Sequence, residues 1–110
     1  MCDVPLSNPM IDEAGKLFQA MGDPSRLKLL RALMTSPGPL AQHALAQAAG
    51  LSQANVSKHL ACLAQSGLVD RERRGQQVLF RLSGSLVREL CGLVKNHVLT
   101  RSRSVYASLQ

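Results

Sequence analysis

The apolar residues of this 110-residue chain recur at spacings of three and four over most of its length, which is the pattern of amphipathic helices. Asp23 is a favoured N-cap, and the proline after it has the fixed φ that suits the first helical position. Gly50 is placed to end a helix in the left-handed conformation, and Ser83 or Ser85 is placed to cap the last helix. The pattern predicts five helices, at residues 12–21, 24–34, 40–49, 53–65 and 86–98.

The connections between these segments indicate the fold. Only residues 50–52 separate the third and fourth predicted helices, and a short turn with a glycine is typical of a helix-turn-helix. Beyond Gly67, β-capable runs at 68–73 and 77–82 flank a second glycine turn, which predicts a hairpin. We therefore predict a mainly α fold with a small β-hairpin, namely a winged helix-turn-helix with about five helices and a two-stranded wing.

Length and composition support this class. A chain of 110 residues suits one domain, and its 45% hydrophobic content excludes a disordered chain. Because only three residues are aromatic, the core is expected to consist of Leu, Val, Ala and Met, which favours packed helices over a β-sandwich. The predicted organisation is a flexible N-terminal arm at 1–9, the winged-helix domain at 10–100 and a basic tail at 101–110.

The formal net charge of +6 lies entirely in the second half of the chain. Residues 1–50 hold four basic and four acidic side chains, whereas residues 51–110 hold nine basic and three acidic ones. A surface with such an excess favours a polyanion such as DNA as its partner. Taken by itself, the charge also fits a basic face that only keeps the protein in solution.

The fourth predicted helix has a polar side that suits DNA. Val56, Leu60 and Leu63 point toward the core, and the opposite side is small and polar. Such a helix fits a major groove of about 12 Å width, in which Asn and Gln bond adenine edges and Lys binds guanine. Arginines beside the hairpin turn suit the minor groove. The predicted DNA contacts are Ser52, Gln53, Asn55, Ser57, Lys58, His59, Arg71, Arg73 and Arg74.

Several segments together resemble the ArsR/SmtB family of dimeric repressors. They are residues 20–27 (AMGDPSRL), residues 51–60 (LSQANVSKHL) with their continuation through Leu63 to 66–69, and residues 74–83 (RGQQVLFRLS). The resemblance implies a dimeric winged helix-turn-helix that represses by binding double-stranded operator DNA and leaves it when an inducer binds. It also implies a homodimer paired through its first and last helices, and the apolar faces of both helices favour dimerisation independently.

The family's known metal sites match this chain only in part. The cysteine cluster of the third helix would fall near Ala41, His43 and Ala46, where no cysteine stands. Of the positions that match the zinc site of the last helix, only His97 carries a ligand. We therefore expect His97 to be a packing residue within an apolar stripe and His43 to be a surface residue.

The cysteines are the remaining candidates for an inducer site. Cys62 resembles the first cysteine of a cadmium- and lead-sensing branch, although Ser66 stands at the second position. Cys91 lacks the second-helix partner of a persulfide-sensing branch. Because soft ions and thiolates pair well, we hypothesise that Cys62, with Cys91 or Cys2, senses a thiophilic metal, a metalloid or reactive sulfur. Basic neighbours on its own helix favour the Cys62 thiolate. No other cofactor is expected.

Three other functions compete with this interpretation of the sequence. An enzyme needs a convergent nucleophile, acid and base, and the chain has three scattered histidines and no HExxH, CxxC or P-loop, so we expect no enzyme. A winged helix used for protein–protein contact has no need of the charge asymmetry. A regulator without an inducer, or an activator, stays open. With no secretory signal and no apolar run of about 18 residues, the expected location is the cytoplasm, away from membranes.

Overall fold

The computed structural model describes residues 6–109, with side chains described for residues 6–103. Its elements are α1 (Asn8–Met21), α2 (Pro24–Thr35), β1 (Leu40–Ala41), α3 (Gln42–Ala49), α4 (Gln53–Gln65), β2 (Val69–Arg74), β3 (Gln77–Leu82) and α5 (Leu86–Leu109). The strands form one antiparallel sheet in the order β1-β3-β2. The predicted mainly α class with a small hairpin is confirmed.

Both outer helices are longer than predicted. The Ser7 hydroxyl oxygen accepts a hydrogen bond from the Met10 amide at 3.4 Å, so α1 begins at Asn8, within the segment predicted as an arm. At the other end, α5 continues to Leu109 through most of the predicted basic tail. Neither glycine nor proline follows Gly92, and without such a residue the chain has no local signal that ends the helix.

Caps set the starts of α2 and α5. Asp23 Oδ1 accepts hydrogen bonds from the amides of Ser25 at 2.8 Å and Arg26 at 3.2 Å, so α2 begins where the sequence predicts. The bond from the Arg26 amide, with that from Ser25 and the nearby charge of His59, holds the pKa of the Asp23 carboxyl below its usual value. Ser85, and not Ser83, directly precedes α5, and its carbonyl accepts the first hydrogen bond of that helix.

The sheet has three strands instead of the predicted two. β1 pairs with β3 so that Leu40 lies opposite Phe80, and α3 therefore begins at Gln42 and not at Leu40. Two residues are too few to show the alternation that marks a strand. The hairpin of β2 and β3, which we call the wing, turns at Gly75, whose φ of +62° favours glycine.

The core is aliphatic and is built mainly by α2, α3, α4 and the sheet. Among the described residues, no polar or charged side chain is fully buried. The most shielded side chains are Leu29, Leu30, Leu45, Val56, Leu60, Leu63, Leu68, Val69 and Val87. Since α5 contributes only Val87 to the buried core, most of its length lies outside it. Throughout the described part of the chain, no helix has the length and hydropathy needed to cross a membrane.

Candidate nucleic-acid interface

The turn between α3 and α4 has defined geometry. Gly50 has a φ of +69°, and the Leu51 amide donates to the Ala46 carbonyl at 2.9 Å, which closes the end of α3. The Ser52 carbonyl then accepts from the Val56 amide at 3.1 Å to begin α4. The Ser52 hydroxyl makes no capping hydrogen bond and is exposed, so it remains available on the same surface as the start of α4.

α4 is anchored by one face and exposed on the other. Val56, Leu60 and Leu63 are almost completely buried, as their spacing predicts. The exposed side chains in the first turns of the helix are Gln53, Ala54, Asn55, Ser57 and Lys58. His59, which was predicted to be reachable with them, is half-buried and lies close enough to α2 for its charge to act on Asp23.

A cleft of about 460 Å³ lies between α4 and the wing. Its polar lining comes from three elements and consists of Gln42, Ser57, Arg71 and Arg73. The Gln42 Nε2 donates to the Gln53 carbonyl at 3.4 Å, which ties the start of α3 to the start of α4. The sequence did not indicate Gln42 as a candidate, because its place beside the wing depends on β1, which leaves no pattern.

The wing has two chemically different faces. Arg71 lies opposite Phe80, and Arg73 lies opposite Val78, so these side chains share the face that turns toward α4. The Arg71 guanidinium lies 5.8 Å from the centroid of the Phe80 ring, which is within the range of a cation–π contact. Both arginines are exposed, and within the described residues neither forms an ion pair with a carboxylate.

Arg74 lies on the other face, because successive residues of a strand alternate. Its Nη2 and Nε are 3.2 and 3.3 Å from Glu72 Oε1, so a carboxylate offsets much of its charge. On that face Arg81 also approaches Asp70, with 3.9 Å between Nε and Oδ2. Of the nine predicted contact residues, Ser57, Arg71 and Arg73 line the same cleft. The other predicted residues at the start of α4 are exposed, except for the half-buried His59, and Arg74 is paired with Glu72.

The cysteines occupy separate environments. Cys62 in α4 is half-buried, and its sulfur accepts a hydrogen bond from Arg26 Nη1 at 3.2 Å. Its closest basic partner is therefore a residue of α2 and not one of its neighbours on α4. Cys91 is half-buried on α5, where burial raises the pKa of its thiol. Cys2 lies outside the described residues.

The described residues of one subunit do not fit a metal site. Nowhere among them do three or more His, Cys, Asp or Glu side chains converge, so these residues of one chain do not form a complete ligand set for a metal ion. His43 is exposed, and its prediction as a surface residue is confirmed. His97 is also exposed in the single chain, because its stripe on α5 lies beyond the core, so its interpretation as a packing residue stays a prediction.

The outer faces of α1 and α5 are exposed and apolar. Phe18 and Leu93 are 60% and 68% exposed. A groove of about 430 Å³ runs between α1, α2 and α5, and its lining is almost entirely apolar. The other large exposed apolar side chains on these two helices are Met10, Ile11, Leu86, Val94, Val98 and Leu99. A single chain thus leaves an apolar groove and many apolar side chains of α1 and α5 uncovered.

Comparison with known proteins places this geometry in a family. Residues 23–71, from the start of α2 into the wing, match the model of bacterial regulatory proteins of the arsR family. The HTH-type transcriptional regulator CmtR of Mycobacterium tuberculosis is 42% identical over 84 residues, which cover 73% of this chain and 67% of that protein. A probable mercury resistance operon repressor of Streptomyces lividans is 33% identical over 93 residues, or 84% of this chain and 71% of that protein.

A solved structure agrees over nearly the whole fold. The homodimeric winged helix-turn-helix DNA-binding domain of a possible ArsR-family transcriptional regulator from Mycobacterium bovis has a TM-score of 0.78 at 26% identity, covering 92% of this chain and 94% of that one. The predicted winged helix-turn-helix is thereby confirmed, and so is the expectation that the protein is not an enzyme, since the family consists of transcriptional regulators. The chain belongs to the ArsR family of bacterial regulatory proteins and is a DNA-binding transcriptional regulator.

Proposed function

We propose that the protein is a homodimeric repressor that binds a two-fold symmetric operator through α4 and the wing, and that a thiophilic inducer at Cys62 releases it. The observation that carries the DNA-binding part is the position of the polar start of α4 beside the arginine face of the wing. Both lie in the half of the chain that holds the whole net positive charge. A DNA duplex is the partner whose shape and charge match this surface.

The start of α4 is proposed to read bases. Ala54 and Ala61 are small and exposed, so the helix can enter a major groove closely. Gln53 and Asn55 carry amides that form paired hydrogen bonds to adenine, and Lys58 suits guanine or a phosphate. The exposed Ser52 and Ser57 hydroxyls, together with the positive end of the helix dipole, suit the flanking phosphates. The half-buried His59 is assigned to the edge of this surface.

The wing is proposed to hold the DNA backbone. Arg71 and Arg73 face the cleft next to α4 and lack a carboxylate partner among the described residues, so their charges are free to replace counterions on phosphates. Gln42 lines the same cleft and joins them as a neutral donor. Arg74 contributes less to phosphate binding, because its guanidinium already forms an ion pair with Glu72.

Dimerisation through α1 and α5 is proposed from the apolar surface of these helices. Exposed apolar patches of this extent on a small protein mark an interface, and the relative from Mycobacterium bovis is homodimeric. α5 spans 24 residues, or about 36 Å at the rise of an α-helix. A two-fold dimer presents two copies of α4, which explains the expected symmetry of the operator.

Induction is proposed to act at Cys62. The Streptomyces lividans relative carries mercury resistance in its name, and thiols are the natural ligands of soft metal ions. Cys62 lies on α4 itself, one turn after Lys58, so a group bound to its sulfur lies next to the DNA-reading surface. The sulfur also accepts a hydrogen bond from Arg26, and a ligand bound to the sulfur would compete with that bond.

Selection from a library of random 30-base-pair duplexes is the direct test of DNA recognition. We expect the enriched sequences to contain an inverted repeat, with half-sites one helical turn or a multiple of it apart. Fluorescence anisotropy against salt should give a negative log–log slope for the selected duplex. Absence of enrichment together with a slope near zero would instead support a winged helix that contacts proteins.

Arg73→Ala and Arg74→Ala form a matched pair, since they remove the same charge from opposite faces of the wing. We expect Arg73→Ala to weaken binding to the selected duplex roughly fivefold to tenfold and to reduce the salt slope by about one. Arg74→Ala should change affinity less than about twofold, because its charge is already paired. Equal effects of the two variants would refute the assignment of separate faces.

Leu93→Glu places a charge at the most exposed large apolar position of α5. If α5 forms the dimer interface, the buried carboxylate would be costly, and light scattering should show a shift from dimer to monomer at micromolar concentration. Gln47→Glu, at an exposed position of α3, is the control and should stay dimeric. A Leu93→Glu protein that remains a dimer would place the interface elsewhere.

Operator release is the test of induction. The selected duplex is bound by the parent protein and by Cys62→Ser and Cys91→Ser, and arsenite, cadmium, lead or a persulfide donor is then added. We expect the parent and Cys91→Ser to release the duplex and Cys62→Ser to retain it, because the serine oxygen is a poor ligand for soft ions. Release from all three proteins would exclude Cys62 as the required sensor, and retention by all three would favour a regulator without such an inducer.

A further inference from the structure

Arg26 makes contact with three helices at once. From α2, its Nη1 donates to the Cys62 sulfur of α4 at 3.2 Å, and its Nη2 donates to the Gln19 carbonyl of α1 at 3.3 Å. Its own amide bonds Asp23 Oδ1 at 3.2 Å and belongs to the cap of α2. The Nε of the same guanidinium is shielded from solvent and has no hydrogen-bond partner. One side chain thus connects the C-terminal end of α1 and the start of α2 to the C-terminal half of α4.

The guanidinium is a rigid connector. Its donors lie in one plane at fixed separations, so the two bonds cannot be shifted independently. A displacement of the C-terminal end of α1 moves the Gln19 carbonyl, and the guanidinium then either loses that bond or pulls on Cys62. A lysine at this position keeps the charge but has no second donor at a fixed distance from the first.

The bond to Cys62 gives α4 a directional contact, which its apolar contacts do not provide. Val56, Leu60 and Leu63 hold the helix against the core, but burial of apolar surface has no preferred direction. These contacts fix which side of α4 faces the core, but a directed bond is needed to select one rotation within that range. Cys62 lies on the flank of the helix, one turn from Lys58, so a directed bond to its sulfur opposes rotation of the DNA-reading side chains.

We propose that Arg26 is a positioning residue for DNA recognition, which sets the rotation of α4 and makes that rotation depend on the position of α1. The inference rests on the proposed function, since it takes α4 as the helix that reads bases. It adds a direct structural connection between the proposed dimer interface and the proposed DNA-binding surface. The C-terminal end of α1 adjoins the apolar surface assigned to dimerisation, whereas Cys62 adjoins the surface assigned to DNA.

The test compares Arg26→Met with Arg26→Lys on two duplexes, the selected operator and a scrambled sequence of equal length. We expect both variants to lose about tenfold in operator affinity, the size of one charged hydrogen bond, and less than about twofold on the scrambled duplex. Full rescue by Arg26→Lys would show that the charge alone matters and would overturn the proposal. Equal losses on both duplexes would do the same.

Cys62→Ala and the double variant Arg26→Met/Cys62→Ala test the bond itself. If Arg26 acts through Cys62, the double variant should bind the operator no more weakly than Arg26→Met, since coupled residues are not additive. Additive losses would contradict the proposal. Thermal unfolding of each variant separates positioning from stability, because a merely structural Arg26 lowers the unfolding temperature and leaves the ratio of operator to scrambled affinity unchanged.

Amide hydrogen exchange of the DNA-free dimer keeps this test distinct from that of the proposed function. Loss of the bond should raise exchange in α4 in Arg26→Met relative to the parent, while α3 stays protected. If exchange in α4 is faster in Arg26→Met but the duplex selection yields no operator, Arg26 still positions α4. In that case the role of α4 as a DNA reader is rejected. Unchanged exchange in α4 would reject the positioning role itself.

Discussion

The burial of one face of α4 is the constraint on which the rest of the structure depends. Val56, Leu60 and Leu63 are almost fully shielded, and complete burial of such a side chain contributes about 1.5–3 kcal/mol. An exposed ion pair contributes about 0–1 kcal/mol at most. The three aliphatic residues therefore outweigh any surface contact in fixing which side of the helix faces outward, and the polar start of α4 is exposed because they are buried.

Burial of one face also determines where the charges of the wing lie, because successive side chains of a strand alternate between the two faces. Packing of Phe80 into the core determines which face of the hairpin turns inward, and Arg71 and Arg73 follow on that face beside α4. Arg74 is shifted by one residue and meets Glu72 on the opposite face. A run of basic residues that looks uniform in the sequence is thus split into side chains free to meet a polyanion and one that is already paired.

The small core leaves the outer helices with unsatisfied apolar surface. α1 reaches the core with its C-terminal end, and α5 reaches it with Val87, so both helices are exposed along most of their length. This surface and the proposed DNA-reading face of α4 are joined through Arg26, which bonds α1 and α4 at once. A change in the packing of α1 and a change at the Cys62 sulfur therefore converge on the same guanidinium.

Local chemistry let the sequence predict much of the fold. Asp23 with its following proline, Gly50 and Gly75 act within a few residues of the chain, and each stands where the corresponding helix or turn begins or ends. The apolar spacing of α4 predicted its buried face, and with it most of the candidate DNA contacts. The family resemblance extended this prediction to the function, because the segments that resemble the family include the candidate DNA contacts.

The tertiary structure decided what depends on distant residues. β1 exists only because Leu40 lies against Phe80, and Gln42 joins the candidate interface for the same reason. Arg26 and Cys62 are 36 positions apart, and no spacing along the chain relates them. By itself the sequence determined the helices, the turns and the polar face of α4, since these follow from neighbouring residues. Only packing decided which charges are paired and which side chain holds α4, because such contacts require the folded chain.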